Sequence, residues 1–292
     1  MNIMNSEQLY NNIYKKRSYL CVGLDSDLAK FPDMFKEKRN ALFEFNKAII
    51  DETVQYAVAY KLNTAFYEAC GAKGWDEFEM SVRYIKEQYP DILVIADAKR
   101  GDIGNTAQMY AKAFFDNLPC DVVTLAPYMG SDSIKPFLQY PDKWAAILAI
   151  TSNLSASDFE TLWVERSESE IAQATMRELG MQADMPLYEK VIRETMRLGT
   201  IDNIMFVVGA TRPEKLKEIR KYCPNNFFLV PGVGAQGGTI EEVAANGMND
   251  KCGILVNSSR GIIYADNTDK FAKVAGLKAK EMVEKMSQTL EK

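Results

Sequence analysis

The chain predicts an α/β protein: a single-domain (β/α)8 TIM barrel over residues 1–292, with an elaborated excursion after strand five. Three observations carry that expectation. Eight short runs rich in Val, Ile and Leu recur along the chain, amphipathic helical stretches separate them, and the length suits one barrel, a fold of typically ~250 residues. A doubly wound open sheet is the other architecture that such alternation allows.

The runs occupy 19–24, 57–62, 92–96, 121–125, 145–150, 203–208, 227–230 and 253–256. Nearly continuous apolar runs suit strands buried on both faces, as parallel sheets require. Helical spacing of apolar residues marks 38–53 and 75–89, the second closed by Pro90. The same spacing marks 106–117, 213–222 and 239–246, where Gly247 is the stop, and 269–290 is a terminal amphipathic helix. The stretch 154–200 is long for one connection; it holds a charged piece at 165–170 and a helical pattern at 187–198. No Pro/Gly/Ser linker brackets it, so it reads as an excursion of the barrel and not a second domain.

Composition narrows the function. A net charge of −5 argues against a nucleic-acid binder, which normally carries a basic face. No stretch approaches the ~20 apolar residues of a membrane helix. The opening Met1-Asn-Ile-Met-Asn-Ser lacks a basic segment followed by an apolar one, so a cytoplasmic protein is expected. The five cysteines are scattered with no C-x-x-C pair, which predicts neither a disulfide framework nor a zinc site. The chain has no histidine. That excludes Ser-His-Asp and Cys-His catalysis and H-E-x-x-H metal sites, leaving acid–base work to Lys, Asp, Glu, Tyr or Cys.

The third run leads straight into charge: Ile92-Leu-Val-Ile-Ala-Asp97-Ala-Lys99-Arg-Gly-Asp102. Residues i and i+2 of a strand share a face, so Asp97 and Lys99 should point the same way at the barrel mouth. Lys61 near the end of the second run could join them, with Asp102 on the following loop. Neighbouring carboxylates would hold each lysine as ammonium. If exposed, such pairs are worth only about 0–1 kcal/mol; if buried they are costly, and an apolar replacement is often stabilising. Two anion sites are also expected. The seventh run ends in Pro231-Gly-Val-Gly234-Ala-Gln236-Gly-Gly-Thr239, whose glycines let backbone N–H groups approach a phosphate and form a movable lid. The eighth ends in Asn257-Ser-Ser-Arg260-Gly261, and Arg260 can grip phosphate in a bidentate way. Barrels frequently bind phosphate with the loops after these two strands.

Together these motifs resemble the orotidine 5'-phosphate decarboxylase family. The D-x-K-x-x-D pattern stands as Asp97-Ala-Lys99-Arg-Gly-Asp102, followed by Ile103 and Thr106. The family's phosphate loop stands as Pro231-Gly-Val-Gly-Ala-Gln236-Gly-Gly. Leu24-Asp25, Lys61, Thr151-Ser152-Asn153 and Arg260 also match, so the likeness runs from the first strand to the eighth, and the long excursion is similar to the longer bacterial branch.

The resemblance implies decarboxylation of orotidine 5'-phosphate (OMP) to UMP in pyrimidine biosynthesis, without metal or cofactor. It implies that Asp97 disfavours the substrate carboxylate and that Lys99 stabilises and protonates C6. Lys61 and Asp102 complete the array, with Asp102 and Thr106 reaching in from the second subunit of a homodimer. Asp25 and Lys61 would bind the ribose, Ser152 the pyrimidine, and Gln236 with Arg260 the phosphate. One departure is Leu154-Ser-Ala156 after Asn153, where a proline–glycine turn is expected. Two other readings stand beside this one: a magnesium-dependent 3-keto-gulonate 6-phosphate decarboxylase of the same barrel superfamily, and a non-catalytic barrel that senses pyrimidine nucleotides.

Overall fold

The computed structural model describes residues 4–35, 37–165, 184–210, 213–233 and 238–291. Eight parallel strands close into a barrel: β1 (Leu20–Gly23), β2 (Ala57–Asn63), β3 (Leu93–Arg100), β4 (Val122–Leu125) and β5 (Trp144–Ile150), then β8 (Ile204–Val208), β9 (Phe228–Pro231) and β10 (Ile254–Ser258). Neighbours pair in chain order and β10 returns to β1. All eight expected runs are strands of this barrel. The open sheet is thereby excluded.

The elaboration after β5 contributes a two-stranded antiparallel piece, β6 (Trp163–Glu165) with β7 (Asp184–Pro186), followed by the helix Leu187–Met196. Most of the charged piece at 165–170 lies outside the described residues. Strands buried on both faces need helices outside, and these include Ala41–Thr53, Gly71–Gln88, Gly104–Lys112, Pro213–Arg220, Ile240–Gly247 and Phe271–Thr289. An N-terminal helix, Ser6–Lys16, starts at a capping box between Asn5 and Gln8. It precedes the strands, and Trp144 Nε1 donates to Met4 O at 2.6 Å, tying this segment to the start of β5.

One irregularity matters for function. β3 and β4 are in register at Ala96↔Val123, and the next pair is Arg100↔Leu125. Four steps on β3 therefore match two on β4, and the segment containing Asp97, Ala98 and Lys99 bulges. Lys99 takes the left-handed conformation, φ 45°. The simple alternation expected for Asp97 and Lys99 is replaced by this bulge, which still directs both side chains to one place.

Candidate active site

At the C-terminal ends of the strands lies a cleft of about 810 Å³. Its floor carries the charge array. Lys61 Nζ donates to Asp97 Oδ2 at 2.8 Å and to Asp25 Oδ1 at 3.4 Å, while Lys99 Nζ donates to Asp97 Oδ1 at 2.6 Å. Lys61 is 4% exposed and Asp97 8%, so the solvated ion-pair alternative does not hold for them. The Lys99 side chain is 48% exposed and stands over the pair toward the open cleft.

Electrostatics in this cluster are mutual. Burial pushes the Asp97 carboxyl up, but the charges of Lys61 and Lys99 and their hydrogen bonds outweigh it and hold the group well below the usual carboxylate range. Burial pulls the Lys61 ammonium down, and Asp25 and Asp97 more than reverse this, so Lys61 keeps its proton beyond the usual lysine range. Removing two charges from water costs several kcal/mol per ion, which attraction repays only when geometry and hydrogen bonds are good. Here each Asp97 oxygen has an ammonium within 2.8 Å.

Local structure explains the placements. Lys61 sits in β2 between Gly23 of β1 and Ile95 of β3. The loop bearing Asp25 is pinned from outside by two tyrosines: Tyr67 Oη donates to Leu24 O and Tyr264 Oη to Asp25 O, both at 2.9 Å. Ser152 follows β5 and lines the cleft, where its loop crosses Gly209 so closely that a Cβ there would sit 2.8 Å from Ser152 N. Only glycine fits that crossing. Arg260, exposed at the first position of the helix Arg260–Ile263, and Gly232, φ 93°, line the opposite side of the cleft from Lys99's strand.

Thus Asp25, Lys61, Asp97, Lys99, Ser152 and Arg260 share one cleft. Gln236 lies outside the described residues, as do Gly234, Ala235 and Gly237 of the loop expected to act as a lid. Asp102 and Thr106 are not brought to the cleft of their own chain. Asp102 accepts the Ile103 N–H at 2.8 Å, and Thr106 is exposed in the first turn of Gly104–Lys112. Ile103 and Met109, near them in sequence, and Tyr128 and Met129 of the loop after β4 are exposed apolar side chains. Tyr128 and Met129 do not line the cleft.

Two cleft residues escaped the sequence reading. Thr124 of β4 donates to Asp97 Oδ1 at 3.0 Å; a polar residue inside the apolar run 121–125 was the available signal. Asn257 of β10 is 6% exposed, and its Oδ1 is buried without a hydrogen-bond partner among the described residues. Its signal was weaker, since it reads as the start of a turn.

Barrel and mouth together define a (β/α)8-barrel enzyme whose cleft carries a lysine–aspartate array. The family model for Orotidine 5'-phosphate decarboxylase / HUMPS matches residues 18–274, and the chain belongs to that family. An orotidine 5'-phosphate decarboxylase of Phocaeicola vulgatus is 51% identical over 98% of this chain and 99% of its own. The structure of Leishmania donovani OMP decarboxylase matches at TM-score 0.78 and 34% identity, covering 99% of this chain and 100% of that one. Leishmania donovani UMP synthase matches at TM-score 0.78 and 36% identity, covering 97% of this chain and 56% of that longer one.

Proposed function

We propose that this chain decarboxylates OMP to UMP and CO2 in de novo pyrimidine biosynthesis, using side-chain charge and no metal or organic cofactor. The observation that carries the reading is a buried carboxylate, Asp97, held between two ammonium groups on the floor of an open cleft. Family membership and near-full-length similarity to decarboxylases support the substrate.

The reaction breaks the C6–carboxylate bond and leaves its electron pair on C6, where resonance offers little relief. Asp97 stays ionised because Lys61 and Lys99 hold it so. It therefore faces the substrate carboxylate as a like charge; two such charges about 4 Å apart repel by about 4 kcal/mol at an effective dielectric near 20. Loss of CO2 relieves that repulsion. The Lys99 ammonium stabilises the developing carbanion and then gives C6 its proton, and solvent re-protonates the lysine through the open side of the cleft. Charge fixed in advance needs no reorganisation at the moment of reaction and is commonly the largest catalytic contribution.

Asp25 and Lys61 hold the ribose hydroxyls, Ser152 the pyrimidine, and Arg260 with Gln236 the phosphate. The buried Asn257 Oδ1 gains a donor from the bound nucleotide. Remote phosphate binding lowers the barrier by assembling the charged site around the substrate. The protein acts as a single-domain barrel in the cytoplasm and as a homodimer, in which Asp102 and Thr106 complete the partner's site. The exposed apolar side chains of Ile103 and Met109, next to them in the chain, support that arrangement, since exposed apolar surface marks interaction sites.

The test is the loss of OMP absorbance after adding purified, chelator-treated protein. Conversion to UMP undiminished by the chelator is expected. A folded protein that leaves OMP unchanged overturns the reading, and activity that returns only with added magnesium favours the metal-dependent alternative.

A further inference from the structure

We propose that Thr124 is a positioning residue for the reaction, setting the Lys99 ammonium and the Asp97 carboxylate relative to each other. The inference rests on the OMP reaction proposed above and deepens it.

The need for such a residue follows from the bulge. Between the pairs Ala96↔Val123 and Arg100↔Leu125, β3 carries two more residues than β4 can pair. The Lys99 N–H falls in this gap, where the β3–β4 register has no pair for Lys99. Thr124 Oγ1 accepts it instead, at 2.9 Å. The same hydroxyl donates its proton to Asp97 Oδ1 at 3.0 Å. One oxygen, 1% exposed as part of its residue, therefore ties the backbone of Lys99 to the side chain of Asp97.

What it holds is a conformation that side-chain-bearing residues rarely adopt. Lys99 has φ 45°, and with no glycine there to relax the cost, surrounding contacts must maintain it. That backbone turn returns the Lys99 side chain over Asp97, where Nζ lies 2.6 Å from Oδ1. Thr124 also loads the same Asp97 oxygen that Lys99 uses, leaving Oδ2 to Lys61. Each carboxylate oxygen is assigned, and the carboxylate plane with it. Being neutral, the hydroxyl does this without altering the net charge of the array.

A merely structural threonine and a positioning threonine differ in what their loss does. Thr124→Val keeps the volume and removes both hydrogen bonds; Thr124→Ser keeps both. With wild-type protein turning over OMP in the same assay, Thr124→Val is expected to lower kcat by about ten- to a hundredfold, the range for hydrogen bonds to charged groups. KM for OMP and affinity for UMP should stay near wild type, because the nucleotide is gripped elsewhere. Thr124→Ser should restore most of kcat, and a crystal structure of Thr124→Val should show Lys99 out of the left-handed region.

Wild-type kcat in a folded Thr124→Val, or Thr124→Ser as slow as the valine variant, overturns the assignment. So does loss of UMP affinity in step with kcat, which marks general disruption. If the valine variant does not fold, Thr124→Ser against Thr124→Ala makes the same comparison. Wild-type protein inactive on OMP would instead refute the decarboxylase reading and leave the hydrogen-bond bridge to be tested by the structural readout alone.

Discussion

Asp97 is the hinge of the charge array, and Asp97→Asn tests it on stability and activity at once. The substitution keeps shape and leaves Lys61, 4% exposed, without its nearer counter-charge. Breaking a buried pair by removing one partner costs about 3–5 kcal/mol, because the other charge stays buried. Asp25 remains 3.4 Å from Lys61, so the lower end, about 3 kcal/mol, is expected. At about 2–4 °C per kcal/mol, unfolding should begin about 6–12 °C earlier.

The pH dependence has a definite sign. The Asp97 carboxyl is depressed in the fold, so its contribution is fully present above its ordinary 3.8 and is lost as acid takes pH through its lower folded value. The Lys61 ammonium is raised, so its contribution is fully present below its ordinary 10.5 and is lost as base takes pH through its higher folded value. Wild type therefore keeps the pair's stabilisation throughout the neutral range. In Asp97→Asn, Lys61 gives up its proton at lower pH than in wild type and sheds the burial penalty with it. The stability gap should shrink as pH rises toward 10.5. Fluorescence-detected thermal unfolding at several pH values, paired with OMP turnover, measures both effects; kcat should fall about 10²–10³-fold, as when one preorganised electrostatic group is lost. An unchanged melting temperature, or a gap that widens with pH, would refute the claim that Lys61 is held charged by Asp97.

Three further outcomes are expected. Lys99→Ala should abolish CO2 release from OMP while UMP binding by calorimetry persists, since the cleft outside Lys99 is untouched; persistence of both, or loss of both, counts against the assigned role. Mixing Lys99→Ala with Asp102→Ala chains should restore activity through hybrid dimers that contain one intact site, and no recovery after confirmed chain exchange would refute donation across subunits. Lys86→Met, far from the cleft, should lower stability by about 3 kcal/mol through its buried partner Asp121 and leave kcat unchanged.

How much was legible in the sequence depends on which force decides each feature. The barrel strands were legible because burial on both faces leaves uninterrupted apolar runs. Apolar spacing starts the second long helix at 75, whereas in the structure it starts at Gly71. In the structure a Cβ at Gly74 would lie 2.1 Å from Tyr67 O, so that glycine is there for a close approach inside the helix. Local spacing brought Asp97 and Lys99 together correctly but could not reveal the bulge, which is set by pairing with a strand more than twenty residues away. Thr124 was missed for the same reason: the groups it bonds lie on the neighbouring strand, not beside it in the chain.

A second carboxylate in the barrel shows why the array at Asp97 invites a functional reading and not just a structural one. Asp121, directly before β4, also has two lysines: Lys86 Nζ at 2.9 Å and Lys143 Nζ at 3.8 Å. By charge count the two sites are alike. At Asp121, however, the remaining capacity is spent on the fold. Its Oδ2 accepts the Val94 N–H at 2.8 Å, and Lys86 also donates to the carbonyls of Pro90 and Ile92. That cluster closes the strand starts and does not line the cleft at the strand ends. Asp97 sits at the strand ends, its lysine half in water, its geometry held by a bulge and a left-handed residue that a structural pair does not require. The same chemical groups thus serve the backbone at one end of the barrel. At the other they are kept strained, dry on one side and open on the other, and a stability contribution alone gives no reason for that combination.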